Sequence, residues 1–283
     1  MRSSRSAHLT GRHTRTTTSR MPFHHIDRAD DPRLAPFRLN ERGLASRRHK
    51  RDDAGAGLFL AEGDLVVERA LAAGCTPHSA LADGERIPPA AHALHDAGID
   101  VYVGGYEVRR MVTSLGMPHP IVALFHRPAR PSPAELLAQS SRLVVVEGVD
   151  NPSNIGAIVR NAAALGWDGL LLDHTSADPW SRRSLRVAMG TAFALPHART
   201  TDLLGVLTEL TAMTLFALTP AEDAFDLRDV TVTGPRAIII GSERAGLSDE
   251  VLAAAIPVRI PMAAGVDSLN AAAALAIACY ALA

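Results

Sequence analysis

The chain has 283 residues, 47% of them hydrophobic, and a formal net charge of −1. This length exceeds the usual size of one hydrophobic core, so two domains are expected, and the apolar content excludes a wholly disordered chain. No apolar run approaches the roughly 18 residues that a membrane span needs, which predicts a soluble protein. Only two cysteines are present, which excludes a disulfide framework or a cysteine-rich zinc site and favours a reducing compartment, the cytoplasm.

Charge is distributed unevenly along the chain. Residues 1–50 carry twelve basic and four acidic side chains, a net charge of +8, whereas the remainder carries −9. Basic segments neutralise phosphates, so the asymmetry points to a nucleic-acid partner. It also fits genomic composition bias, because 28 of the 29 basic residues are arginine. Residues 1–20 lack apolar periodicity and are predicted to form a disordered basic extension.

Short apolar strands alternate with helices from Phe59 to His126. The segment FLAEGDLVVERALAAG predicts a strand followed by a helix. The expected buried face of that helix consists of Leu65, Val66, Ala70 and Leu71. The alternation indicates a small α/β domain, which we assign to residues 21–130. The prolines of RPARPSPAELLAQSS predict a linker at residues 131–141.

A second alternating series occupies residues 142–283. Strands such as RLVVV and RAIIIG are apolar throughout, which is typical of a parallel sheet covered by helices on both faces. Ligands bind beyond the carboxyl ends of the strands in such sheets. The residues that follow each strand are therefore the candidate functional residues.

Polar segments follow two of these strands. NPSNIG leads into a helix that contains Arg160, and an arginine in a mostly apolar helix needs an anionic or carbonyl partner. A structural salt bridge is the alternative to a functional role. GSERAGL places two glycines where backbone can approach a ligand, but it matches neither a dinucleotide-binding nor a P-loop pattern. Its Glu243 also suits the N-terminus of a helix beginning near Ser248.

A third loop, IPMAAGVDSLN, precedes the final helix. Proline and glycine predict an irregular loop in which Ser268 or Asn270 caps that helix. The helix AAAALAIACYALA is apolar all round and is expected to be buried on almost all sides. Burial against another subunit would account for this composition.

In this order and at these separations, NPSNIGAIVRNAAALG, IIIGSERAGLS and IPMAAGVDSLNAAAA resemble the SpoU/TrmH family of RNA ribose 2'-O-methyltransferases of the SPOUT superfamily. The resemblance covers residues 142–283, and the preceding domain resembles the family's ribosomal-protein-like α/β module for RNA more loosely. It implies an α/β fold with a parallel-sheet domain closed by a deep trefoil knot, through which the last helix is threaded. It also implies S-adenosylmethionine (SAM) as cofactor and a homodimer whose active sites take residues from both subunits.

The resemblance also implies the site residues. The positions that match cofactor contacts are Thr219, Gly241, Ile260 and Leu269. The positions that match polar active-site residues are Asn154, Arg160, Glu243, Ser268 and Asn270. Arg160 is the residue expected to activate the ribose 2'-hydroxyl. Because a guanidinium stays charged in proteins, we expect it to stabilise the developing alkoxide rather than to act as a base. No metal is required.

Three functions compete at this stage. The first is methyl transfer to structured RNA, with ribosomal RNA as the preferred substrate and transfer RNA as the alternative. The second is RNA binding without catalysis, and the third is an unrelated α/β enzyme that acts on a small molecule without RNA or a knot. The five polar motif residues argue against the second function, and the leading domain argues against the third.

Overall fold

Two β-sheets organise the computed structural model, which describes residues 23–45, 57–114 and 116–283. The predicted extension at residues 1–20 lies outside the described residues. The first sheet has five strands and ends at His126, and the second has seven strands and begins at Arg142. Within the described ranges, no helix is both long enough and apolar enough to cross a membrane.

The first sheet has the strand order β1-β4-β3-β5-β2. Its strands are β1 (His24–Ile26), β2 (Leu58–Glu62), β3 (Pro77–Asp83), β4 (Asp100–Gly104) and β5 (Ile121–His126). The helices of this unit are α1 (Glu41–Leu44), α2 (Asp64–Ala72), α3 (Pro89–Asp96) and α4 (Tyr106–Thr113), with a 3-10 helix at Pro32–Arg38. Strand β5 runs antiparallel to both of its neighbours. The predicted alternation of strands and helices between Phe59 and His126 is confirmed.

Helix α2 buries the predicted Val66 and Ala70, with Leu71 partly buried against the same core, but not the predicted Leu65. Val66, Val67 and Ala70 are buried, whereas Leu65 is 41% exposed. Successive helix residues are rotated by about 100°, so a face centred between Val66 and Val67 turns Leu65 to the opposite side. The prediction for Leu65 is wrong, because periodicity alone does not say which arc of a mostly apolar helix meets the sheet.

The second sheet is parallel throughout, in the order β10-β12-β9-β11-β6-β7-β8, which confirms the predicted parallel sheet. Its strands are β6 (Arg142–Val146), β7 (Gly169–Asp173), β8 (His197–Thr200), β9 (Thr214–Leu218), β10 (Phe225–Asp226), β11 (Arg236–Ile240) and β12 (Ile256–Arg259). Its helices are α5 (Pro133–Gln139), α6 (Pro152–Ala164), α7 (Arg182–Ala188), α8 (Leu203–Glu209), α9 (Asp249–Ala253) and α10 (Ala271–Ala281). The central strands β6 and β11 are apolar because helices cover both of their faces.

The segment predicted as a linker, residues 131–141, forms helix α5. Ser132 and Glu135 make a reciprocal capping box at its start. Leu136 is buried against the second sheet, and a Cβ built on Gly169 would lie 2.7 Å from the Cδ1 atom of Leu136. The prolines therefore begin a packed helix rather than an extended linker.

Ion pairs join the two sheet units. Glu62, which ends β2, is buried and pairs with Arg182 at the start of α7. In the connecting segment, Arg127 and Arg130 pair with Asp178 of the second unit at 2.6 and 2.9 Å. Burial alone would raise the pKa of Asp178, but the two arginines outweigh it and hold that pKa well below its usual range. The connecting segment is therefore held against the second unit.

Candidate functional site

A cavity of about 490 Å³ lies beyond the carboxyl ends of β9, β11 and β12. Its walls combine apolar side chains with the backbone of the three loops that follow these strands. This volume lies within the range of about 300–1,000 Å³ that is usual for small-molecule sites. The lining residues include the four predicted cofactor positions Thr219, Gly241, Ile260 and Leu269.

Gly241 makes the closest backbone approach in this cavity. A Cβ built on it would lie 2.3 Å from the carbonyl carbon and oxygen of Gly246 and 2.5 Å from the nitrogen of Leu247. The turn between them is closed by the backbone N–H of Gly246, which donates to the Ser242 carbonyl at 3.0 Å. Only glycine fits at position 241, because any side chain would push this turn away from the end of β11.

Three polar residues from separate segments form one hydrogen-bonded network. The Nδ2 atom of Asn270 donates to Oε1 of Glu243 at 2.8 Å and to Oδ1 of Asn154 at 3.1 Å. We call Asn154, Asn270 and Glu243 the amide-carboxylate network. Asn154 comes from α6, Glu243 from the turn after β11, and Asn270 from the residue before α10. The network therefore ties the three predicted motifs together.

Asn270, rather than Ser268, is the cap of the final helix. Its Oδ1 atom accepts hydrogen bonds from the backbone N–H groups of Ala272 and Ala273, at 3.0 and 3.2 Å. Ser268 is exposed and lines the cavity, and its hydroxyl has no hydrogen-bond partner in the described part of the chain. The Ser268 hydroxyl therefore remains available to a ligand.

Glu243 does not cap the helix that follows it. Ser248 is the cap of α9, and its backbone N–H and hydroxyl both donate to the carboxylate of Glu147. The carboxylate of Glu243 faces Asn270 instead. The capping role considered for Glu243 is wrong, because a closer serine and a second glutamate already occupy that helix terminus.

Arg160 is exposed on α6 and lies apart from the cavity of its own chain. Among the residues that the structure describes, its guanidinium has neither a hydrogen-bond partner nor an ion-pair partner. The salt-bridge alternative thus has no support among these residues. Its neighbour Asn161 donates to the backbone carbonyl of Ala272, which joins α6 to α10 one residue after Arg160.

Helix α10 is buried on one side only. Leu275, Ala278 and Cys279 are buried, and burial raises the pKa of the Cys279 thiol to about 12. In contrast, Ile277 is 44% exposed and Tyr280 is 76% exposed. The expectation of burial on almost all sides is not met within a single chain. Ile277 and Tyr280 therefore form an uncovered apolar stripe on α10.

Arg244 also lines the cavity, although it is not among the predicted site residues. Its position between Glu243 and the second glycine of GSERAGL was the available signal. Within the described ranges, no three histidine, cysteine, aspartate or glutamate side chains are grouped as metal ligands usually are.

Known proteins resemble this chain in sequence. Residues 141–280 match the model of the SpoU rRNA Methylase family. An uncharacterized tRNA/rRNA methyltransferase of Mycobacterium tuberculosis is 36% identical over 258 residues, which cover 89% of this chain and 88% of that protein. The 23S rRNA guanosine 2'-O-methyltransferase RlmP of Bacillus subtilis is 29% identical, over 82% of this chain and 90% of its own length.

Solved structures resemble the whole described fold. The AdoMet-bound rRNA methyltransferase of Sinorhizobium meliloti superposes with a TM-score of 0.76 at 27% identity, over 92% of this chain and 97% of that one. The SpoU methyltransferase AviRb of Streptomyces viridochromogenes, in complex with AdoMet, gives 0.72 at 27% identity, over 89% and 96%. Both likenesses extend well beyond the second sheet. Motifs, sequence and fold together show that this chain belongs to the SpoU family of RNA methyltransferases.

Proposed function

We propose that this protein transfers a methyl group from SAM to a ribose 2'-hydroxyl of ribosomal RNA. Membership of the SpoU family makes it a SAM-dependent RNA 2'-O-methyltransferase. The observation that carries the proposal is the amide-carboxylate network at the rim of a cavity large enough for a nucleoside cofactor. Ribosomal RNA is favoured because relatives in Bacillus subtilis and Vibrio parahaemolyticus are named 23S rRNA methyltransferases. Transfer RNA is the alternative.

The cavity fits SAM in size and in the kind of groups it offers. Ile260 and Leu269 present apolar side chains, so backbone N–H and C=O groups are the polar contacts that these positions offer to an adenine ring. Gly241 brings further backbone to the wall, where a Cβ has no room. Thr219 adds a hydroxyl at the edge of the cavity. When bound, SAM supplies an electrophilic methyl group on a sulfonium.

The network residues orient the acceptor ribose. A 2'-hydroxyl is a weak nucleophile until its proton leaves, so positioning and charge stabilisation carry most of the work. Glu243 holds the Asn270 amide in one orientation, and this fixes the donors and acceptors at the rim. Ser268, whose hydroxyl is unused in the described part of the chain, hydrogen-bonds to the ribose or its phosphate. Glu243, Asn270 and Ser268 are therefore positioning groups for the transfer.

Arg160 acts in the active site of a second subunit. The apolar stripe of α10 with Ile277 and Tyr280 forms the interface of a homodimer, since exposed apolar side chains of this size favour association. Arg160 is exposed on α6, which packs against α10, and it does not line the cavity of its own chain. In the dimer its guanidinium lies at the partner's cavity, where its positive charge stabilises the developing alkoxide.

Three further properties belong to this proposal. Helix α10 is threaded through a preceding loop to form the trefoil knot of the SPOUT superfamily. Residues 21–130 form the RNA substrate-binding domain, with a ribosomal-protein-like fold, and residues 1–20 add only non-specific affinity through arginine contacts to phosphates. The protein works in the cytoplasm, where its RNA substrate lies.

Methylation mapping tests the proposed function. Ribose 2'-O-methylation is mapped across total RNA from a strain that lacks the gene, and the RNA is then treated with purified protein and SAM. We expect one ribosomal position to lose its methyl group and to regain it with the wild-type protein but not with Arg160→Ala. A missing methyl group in transfer RNA would favour the alternative substrate. An unchanged map, with SAM and RNA binding intact, would favour the non-catalytic function.

Two truncations test the domain assignment. Removal of residues 1–20 should weaken RNA binding and flatten its salt dependence without changing the methylated nucleotide. A second protein should begin at Arg127, because this start retains α5 and both arginines that pair with Asp178. We expect it to bind SAM but to lose activity on native RNA. Efficient methylation of the same nucleotide by this shorter protein would place recognition in residues 127–283.

A further inference from the structure

Arg244 occupies the tip of the turn that carries Glu243. It is exposed, it lines the cavity, and it directly follows the carboxylate that holds Asn270. The residues deepest in this cavity are apolar, as at Ile240 and Val258, whereas Glu243 and Ser268 lie at its exposed rim. Arg244 is therefore placed at the opening through which a large substrate would reach the network.

The guanidinium of Arg244 has no acidic partner in the described part of the chain. Four other exposed arginines have an acidic partner within three residues. These pairs are Arg28 with Asp30, Arg33 with Asp31, Arg110 with Glu107, and Arg228 with Asp226. Two acidic residues lie close to Arg244 in sequence, and neither pairs with it. The carboxylate of Glu243 accepts from Asn270, and Asp249 is the first residue of helix α9. The five donors of Arg244 therefore remain free for an external anion.

The turn fixes the position of Arg244 relative to the network. Ser242 closes it twice, because its carbonyl accepts from the N–H of Gly246 and its Oγ accepts from the N–H of Ala245 at 3.1 Å. Gly241 packs against the same turn with no space for a Cβ. A rigid turn that holds the Glu243 carboxylate on Asn270 also holds the next residue at a fixed distance from the acceptor ribose.

In RNA, the carbon that bears the 2'-hydroxyl is bonded to the carbon that bears the 3'-phosphate oxygen. A ribose oriented by the network therefore brings this phosphate within reach of a side chain beside Glu243. We propose that Arg244 binds the phosphate on the 3' side of the methylated ribose, an inference that rests on the proposed function. Arginine suits the task because its planar fork matches two phosphate oxygens at once.

Kinetics of full-length Arg244→Ala test this assignment on the RNA that the wild-type protein methylates. We expect the KM for RNA to rise about tenfold with little change in kcat, because a phosphate contact acts equally in ground and transition states. In a plot of the logarithm of the RNA-binding constant against the logarithm of salt concentration, the slope should become less steep by about 0.7, the value for one phosphate in a single strand. Arg244→Lys should restore the salt dependence but only part of the affinity. Arg228→Ala, an exposed arginine paired with Asp226, is the matched control.

Two binding measurements separate RNA from the cofactor as the ligand of Arg244. SAM and 5'-methylthioadenosine, which lacks the amino-acid carboxylate, are titrated into wild-type protein and Arg244→Ala. We expect unchanged affinity for both. A loss of affinity for SAM but not for 5'-methylthioadenosine would assign Arg244 to the cofactor carboxylate and overturn the inference.

A neutral phosphate analogue tests whether the phosphate on the 3' side of the target ribose is the group that Arg244 binds. RNA with a methylphosphonate at the 3' side of the target ribose should raise the KM of wild-type protein about as much as Arg244→Ala does, with no further increase when both changes are combined. Additive effects would overturn the assignment to this phosphate. Absence of methyl transfer by the wild-type protein would instead refute the proposed function itself.

Discussion

Asn270 connects the cap of the last helix to Glu243. Its Nδ2 atom donates to Oε1 of Glu243 at 2.8 Å, while its Oδ1 atom accepts from the backbone N–H of Ala272 at 3.0 Å. One side chain thus stabilises the start of α10 with its oxygen and orients an acidic residue with its nitrogen. The structural and the chemical roles of Asn270 can therefore be separated by substitution.

Asn270→Asp should keep the helix cap and lose the reaction. An aspartate accepts the same backbone hydrogen bonds, but it replaces the donor to Glu243 by a second carboxylate, and like charges repel. We expect the free energy of unfolding to stay within about 1 kcal/mol of the wild type and methyl transfer to fall about a hundredfold. Thermal denaturation and methyl-transfer assays measure the two effects. Asn270→Ala, which removes cap and donor together, should lose both, and near-normal activity of Asn270→Asp would contradict the role of the donor.

Mixed dimers should reveal whether Arg160 acts across subunits. Arg160→Ala should abolish activity without loss of stability or SAM affinity, because the side chain is exposed and has no partner in the described residues. When Arg160→Ala and Asn270→Asp are co-expressed, half of the dimers carry one intact composite site. We expect roughly a quarter of the wild-type activity to return. No recovery, with mixed dimers demonstrated by tagged purification, would place Arg160 in the site of its own chain.

The parallel sheet and the functional loops were predictable from local patterns. Strands such as Leu143–Val146 are apolar on both faces, and such strands place their polar residues at the carboxyl ends. Strand β8 was missed because HART, at His197–Thr200, alternates charged and small residues at the edge of the sheet. Helix α5 was missed because its prolines resembled a linker, although Pro133 stands at a first helical position where proline is favoured.

The surroundings of Arg160 and of α10 were not predictable from local patterns. Which arc of a helix is covered depends on neighbours that are distant in sequence, such as Trp167, whose indole N–H donates to the Cys279 carbonyl at 3.2 Å. Asn154 and Glu243 are linked only through Asn270, whose side-chain nitrogen donates to both of them. The family motifs pointed to these residues, but the pattern of hydrogen bonds required the structure.

Gly241→Ala should remove SAM binding. The added Cβ would lie 2.3 Å from the backbone of Gly246, so the turn must shift into the cavity. We expect calorimetric SAM affinity to fall at least about tenfold while the protein remains folded. Gly105→Ala is the matched control, because nothing lies within 4 Å of its Cβ position. Unchanged SAM affinity in Gly241→Ala would show that this turn does not form the cofactor wall.

Ile277→Glu should produce monomers. A charge in an apolar interface is costly to bury, whereas the same residue on a single chain is already 44% exposed. We expect sedimentation to show a monomer at micromolar concentration and methyl transfer to be lost, with secondary structure unchanged. Phe225→Glu, at a position that is 64% exposed on edge strand β10, is the control and should remain dimeric. A dimeric and active Ile277→Glu protein would exclude α10 as the interface.

His197 should make the fold sensitive to mild acid. It is 5% exposed and packs near Arg130, Asp178 and Arg199, and burial lowers its pKa from 6.5 to about 3. The folded state therefore keeps this ring neutral, whereas the unfolded chain binds a proton below pH 6.5. The contribution of His197 to the free energy of unfolding is therefore complete above pH 6.5 and is lost as the pH falls toward 3.

Between pH 7 and pH 5 this single group should lower the free energy of unfolding by about 2 kcal/mol. The lowered pKa of Asp178 affects stability only at more acidic pH, because the pKa of an aspartate in the unfolded chain is about 3.8. Urea denaturation of wild type and His197→Phe at several pH values isolates the effect, since all other titrating groups are shared. The variant should lose less stability than the wild type between pH 7 and pH 5. Parallel curves for the two proteins would mean that His197 is protonated in the folded state.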